Sequence, residues 1–189
     1  MRMPGLGGEV IRRLGGAAVR LAGGEIYQAL QSGSIDATEW VGPWNDLAFG
    51  FYREAPFYYA PGFHEPGASL AAGINLDVWN SLNTTEQAWF GYAARHANNM
   101  SLGEYTYENA KALNTLKREH GIEPQFFEND IMVKIGRLSE DVVRELGTSD
   151  RQTQKIYESY KSARDKFAEW TDMSDGRYIR ARSIALQSL

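Results

Sequence analysis

The chain contains no cysteine. That excludes disulfides, Cys-ligated zinc and thiol nucleophiles, and leaves both a reducing cytoplasm and an oxidising periplasm open. It has no apolar run approaching the roughly 20 residues that a membrane-spanning helix requires. Positive charge is not in excess either. A formal net charge of −4 and a pI near 5.5 argue against a phosphate-backbone partner, which needs a concentrated basic face, so no nucleic acid is expected. There is no internal repeat and no low-complexity tract. The opening stretch MRMPGLGGEVIRRLGG lacks the apolar core of a secretory signal and passes directly into a strand-turn-helix pattern.

What is present suits a globular α/β chain. At 189 residues, 43% apolar and 23% charged, it can bury one sizeable core. Residues 1–41 read as β-α-β-α-β: MRM extended before Pro4, GGEVIRRLGG helical, AAVRLA a strand, EIYQALQSG a helix closed by Gly33, and IDATEWV a strand. Short strands alternating with short helices favour a parallel or mixed sheet covered by helices. DLAFGFYREA reads as a brief helix, and PFYYAPGFHEPGASLAAGINL, aromatic and punctuated by Gly and Pro, reads as extended segments and turns. Asn83 stands three residues before Glu86, a helix start. From there the pattern predicts one helix to Gly121, about 37 residues and on the order of 55 Å long, with Gly91 and Gly103 as the places where it would bend. IEPQFF reads as a last strand and the remainder as helix. Ile156, Tyr160, Ala163, Phe167 and Trp170 recur at 4-3-4-3 spacing, one apolar seam that must face something.

The chemistry is expected where strands end. In ATEWVGPWND, residues 37–46, a carboxylate and an indole stand together just before a Gly-Pro turn, and the carboxyl edge of an open α/β sheet is where ligands bind. Glu39 shares strand parity with Ile35, Ala37 and Val41, so it projects from an otherwise apolar face and needs a cation or hydrogen bonds. One supplier would be a salt bridge to a local arginine such as Arg20. The GLGG and AGG clusters match neither a Walker motif nor G-x-G-x-x-G. By composition alone, Arg2 is an ordinary arginine near a chain end.

Taken together, MRMPGLGGEV, GGEIYQALQSGSIDATEWVGPWND and YYAPGFHEPG resemble the solute-binding proteins of tripartite ATP-independent periplasmic (TRAP) transporters, in the branch that captures keto acids and other small carboxylates. The resemblance covers essentially the whole chain and rests on long motifs. It implies part of a two-lobed periplasmic α/β fold, a mixed sheet covered by helices with long C-terminal helices, closing on its ligand like a hinge. Residues 1–55 would be an α/β lobe segment, 56–82 returning inter-lobe strands, 83–121 the long helix, and 122–189 the last strand and C-terminal helices, with the N-terminal lobe segment absent.

The same resemblance implies site residues. Arg2 stands where the family places the arginine that clamps the ligand carboxylate, a task suited to a planar fork of donors. Glu39 and Trp40, the latter through a backbone oxygen, match the pair that helps hold a cation bridged to the ligand, and sodium or calcium takes such oxygen ligands. Glu65 is the expected second carboxylate for that cation. Phe63 and His64 are expected in the cleft wall, where many relatives have Trp at the Phe63 position; a lone His is also often structural. Trp44, Tyr58 and Tyr59 are read as core or hinge packing. The implied partners are a small carboxylate, the membrane subunits of a TRAP transporter and a second copy of the chain through the C-terminal helices, and the implied location is the periplasm. The seam could instead fold back on the chain's own long helix. The rival function is a metal-dependent hydrolase using Glu39, Glu65 and His64 as acid, base and metal ligand, against which stands the lack of a Ser/His/Asp signature or H-E-x-x-H spacing. A fragment that binds nothing is the third alternative.

Overall fold

The computed structural model describes residues 1–64, 67 and 68, and 70–188, and its contacts divide the chain into two units, Met1–Ile135 and Gly136–Leu189. In the first unit Arg2 forms parallel bridges with both Val19 and Thr38, so its segment is the middle one of three. The Arg2 N–H donates to the Ala37 carbonyl at 2.8 Å, the Glu39 N–H to the Arg2 carbonyl at 3.3 Å and the Met3 N–H to the Val19 carbonyl at 3.1 Å. Parallel neighbours need helical crossovers, and these are α1 (Gly5–Arg13) and α2 (Ile26–Gln31). The expected strands are present only as these short bridged segments.

The core beneath them is small and specific. Ile26, Ala29 and Leu30 line one side of α2 and meet Ile35 and Phe51, with Leu21, Tyr27, Trp40 and Ala55 packed around them. Burying each large aliphatic side chain stabilises by roughly 1.5–3 kcal/mol, which anchors the strand ends to α2. Two glycines act through close approach. A Cβ on Gly8 would come within 2.4 Å of the Met3 carbonyl oxygen, and one on Gly23 within 2.5 Å of the Trp40 ring. The GLGG and AGG clusters are therefore packing devices.

After this core, α3 spans Pro43–Phe49 and stops at Gly50, whose φ of +72° is left-handed. It begins earlier than the helix expected over 46–55 because Pro43 is pre-set for a first turn, and it ends sooner because Gly50 breaks it. β1 (Tyr58–Ala60) pairs in parallel with β2 (Pro124–Phe126), Tyr58 opposite Pro124 and Ala60 opposite Phe126. A short helix, α4 (Leu76–Ser81), forms where extended chain was expected, because the Asn75 side chain accepts from the Asp77 and Val78 N–H groups and supplies its cap. The predicted long helix is α5 (Thr84–His120), 37 residues, with Asn83 and Glu86 forming a reciprocal capping box and Gly121 closing it at φ +68°. Gly91 and Gly103 lie inside an uninterrupted helix. Only Ala112 and Leu116 of α5 are buried; residues 91–107 are exposed.

The remainder is helical, as expected: α6 (Asn129–Gly147), α7 (Arg151–Thr171) and α8 (Arg177–Gln187), the last two joined by a π-helical turn at Asp172–Gly176. In the second unit Asp150 caps α7 by accepting from the Gln152 and Thr153 N–H groups. Glu140 of α6 accepts from Arg164 at 2.5 Å and from the Tyr157 hydroxyl at 3.2 Å. The Arg164 guanidinium beside it holds the Glu140 carboxyl below its usual range. The apolar seam of α7 is open: Ile156, Tyr160, Phe167 and Trp170 are 61%, 48%, 66% and 59% exposed.

Candidate functional site

Because the three segments run in parallel, their carboxyl ends come out on one edge. Pro4, Arg20 to Ala22 and Glu39–Trp40 all follow a bridged residue. An open depression of about 540 Å³ lies there, lined by Arg2, Pro4, Arg20, Leu21, Ala22 and Glu25. The Arg2 side chain is fixed from two sides: Nε donates to the Leu21 carbonyl at 3.2 Å, and Nη1 donates to Glu39 Oε1. The other Glu39 oxygen faces His64 Nε2 at 3.2 Å. The Arg2, Glu39 and His64 side chains are 11%, 14% and 18% exposed, so water screens them weakly and the Arg2–Glu39 attraction is stronger than that of a surface pair.

Trp40 closes this group from below. The Arg2 guanidinium lies over its ring at 5.2 Å from the centroid, and the ring meets Phe49 at 5.4 Å and Phe51 at 6.4 Å, both edge-on. The Trp40 carbonyl accepts no hydrogen bond among the described residues. Phe63 stands edge-on to His64 at 5.3 Å. Among the described buried polar atoms without a partner are Trp40 Nε1 and His64 Nδ1 in this group, and Asn45 Oδ1 and Asp46 Oδ1 in the turn that follows.

The turn after Trp40 is held from elsewhere in the chain. Asp46 accepts from the Tyr58 hydroxyl at 2.6 Å. Burial pushes its carboxyl up to about 6; the Tyr58 and Gly42 hydrogen bonds oppose that shift and the Glu39 charge adds to it. Burial also pushes the Tyr58 hydroxyl well up. The Trp44 N–H donates to Asn109 Oδ1 at 3.0 Å, and the Trp44 ring meets Tyr105 at 5.1 Å.

Arg2, Glu39, Trp40, Phe63 and His64 are thus brought together, and Glu65 lies outside the described residues. Arg20 is not the partner of Glu39; the partners are Arg2 and His64, because the Arg2 segment is bridged directly to that of Thr38 and Glu39, while Arg20 follows Val19 on the segment flanking Arg2 from the other side. Trp44 packs on Tyr105 and Tyr58 donates to Asp46, both at the turn after Trp40, and Tyr59 stacks on Phe127 at 5.2 Å. The reading of the sequence missed Asp46 and Asn109. Gly-Pro followed by an acid in the first turn is a helix-start signal that points to Asp46; no local signal points to Asn109. For a hard cation the described donors fit in kind, the Glu39 carboxylate and the free Trp40 carbonyl both being oxygen. No group of three acidic, His or Cys side chains that could hold a metal occurs among the described residues.

Comparison with known proteins gives consistent matches. The family model "Bacterial extracellular solute-binding protein, family 7" matches residues 1–150. A monocarboxylate 2-oxoacid-binding periplasmic protein of Nostoc sp. is 39% identical over 178 residues, 94% of this chain and 49% of that protein. A TRAP transporter solute-binding protein from Bordetella bronchiseptica, a mixed occupancy dimer with copurified calcium and picolinate in the bound site, superposes with a TM-score of 0.93 at 31% identity, covering 100% of this chain and 56% of its own. Another, from Pseudoalteromonas atlantica with bound sodium and pyruvate, gives a TM-score of 0.84 at 31% identity, covering 95% and 55%. The chain spans about half the length of these relatives.

Proposed function

Since this chain belongs to the bacterial extracellular solute-binding proteins, family 7, we propose that it is a ligand-capturing part of a periplasmic TRAP solute-binding protein, holding a small 2-oxo acid or similar carboxylate for delivery to the membrane subunits. The family is one of binding proteins rather than enzymes, and the role needs no bond making or breaking. The observation that carries the reading is the Arg2 guanidinium at the carboxyl edge of the parallel segments, buttressed by the Leu21 carbonyl, Glu39 and Trp40.

Arg2 would take the ligand carboxylate through its fork of donors. Nη2 has no partner among the described residues, but Nη1 is engaged by Glu39, so a two-pronged grip requires Glu39 to turn away. Glu39 and the Trp40 carbonyl would then be the oxygen donors for a calcium or sodium ion, with Glu65 as a further carboxylate. Bound there, such an ion supplies the positive charge that lets the Glu39 and ligand carboxylates share one site. Phe63 and His64 would form the wall, His64 holding the second Glu39 oxygen. The uncovered α7 seam supports a homodimer through the C-terminal helices in the same reading.

Titration calorimetry of the 189-residue chain with pyruvate in the presence of calcium tests this. Saturable binding, with pyruvate recovered chemically unchanged, is expected. Absence of binding rejects the reading for this chain, and conversion of the ligand favours a metal-dependent enzyme instead.

A further inference from the structure

The helix α3 has no capping side chain of its own, since its N-cap is Gly42. The first N–H of α3 after Pro43, that of Trp44, is capped instead from 65 residues away by Asn109, in the C-terminal half of α5. The fit is close: a Cβ on Gly42 would come 3.1 Å from the same Asn109 oxygen. One turn earlier on α5, Tyr105 holds the Trp44 ring, and α3 packs along α5. Trp40, whose carbonyl is free and whose ring supports Arg2, is two residues from this clamped glycine. Only Val41 separates the two.

We infer that Asn109 is a positioning residue for the binding edge: from the long helix it holds the Gly42–Trp44 turn, and through that turn it sets the backbone of Trp40 and the aim of Glu39. The inference rests on the binding reading for its effect on affinity, but its local effect does not depend on a ligand. Removing the acceptor leaves a part-buried N–H unmet and frees the turn to sample other conformations. A carboxylate at the same position restores the acceptor and suits a helix N-terminus.

The test compares Asn109→Ala, Asn109→Gln and Asn109→Asp in the 189-residue chain by hydrogen exchange of the segment 40–46 and by calcium titration. Ala and Gln both preserve helix propensity in α5, and Gln keeps the amide while displacing the acceptor by one methylene. Exchange of 40–46 is expected to rise about tenfold or more in both, with a calcium affinity about tenfold weaker, while Asn109→Asp stays near the parent in both readouts. Unchanged exchange in Asn109→Ala and Asn109→Gln overturns the inference, and so does an Asn109→Asp variant that exchanges as fast as Asn109→Ala. If exchange responds as expected but the parent chain binds no calcium, the positioning role stands and the cation-site reading is what fails.

Discussion

Glu39 and Arg2, 37 residues apart in sequence, form an ion pair between neighbouring parallel segments, with His64 on the far oxygen of the same carboxylate. In this state the carboxylate neutralises the arginine. An incoming anion must therefore compete with Glu39 for Arg2, and positive charge brought to Glu39 makes that exchange easier.

Arg2→Lys keeps the charge but loses the fork and the Nε donor to the Leu21 carbonyl. Pyruvate affinity is expected to fall by at least about tenfold, or roughly 1.4 kcal/mol. Calorimetry on parent and variant decides the matter; equal affinities remove Arg2 from the site.

Glu39→Gln preserves shape while removing one charge. It is expected to weaken calcium and pyruvate binding together, and added calcium should raise pyruvate affinity in the parent far more than in the variant, since two ligands coupled through one residue must affect each other reciprocally. Titrations with chelator, with calcium and with sodium measure the coupling. Identical pyruvate affinity under all three conditions means that Glu39 is only a structural partner of Arg2.

Asp46 gives a pH dependence of definite sign. Its carboxyl is pushed up to about 6 by burial, above the roughly 3.9 of an unfolded aspartate. Between those values the folded chain holds a proton that the unfolded chain does not, so stability from this group is fully present below about pH 4 and is lost as pH rises through about 6. The loss is on the order of 2–3 kcal/mol. Asp46→Asn removes the ionisation and keeps an acceptor for Tyr58. Its Tm should exceed that of the parent at pH 7.5, and the difference should shrink toward pH 4.5. A difference independent of pH across thermal melts contradicts the assignment.

The α7 seam predicts self-association. Sedimentation at micromolar concentration is expected to show a dimer that Phe167→Glu with Trp170→Glu converts to monomer, because both side chains are more than half exposed and too apolar to be left in water together. A parent chain that sediments only as monomer removes this interface.

The sequence by itself determined what depends on neighbours a few residues away. Asn83, Glu86 and Gly121 bound α5 to within a residue of expectation because caps act over three or four positions. The alternation of short strands and helices up to Thr38 was legible for the same reason, and so was the carboxyl-edge placement of Glu39 and Trp40. Only the tertiary structure decided the partners. Arg2 rather than Arg20 meets Glu39 because two strands far apart in sequence lie adjacent in register, and Asn109 meets Trp44 because α5 packs against α3. No periodicity or local propensity encodes such pairs; they arise when helices and strands pack, and the packing places a donor within about 3 Å of an acceptor many turns away.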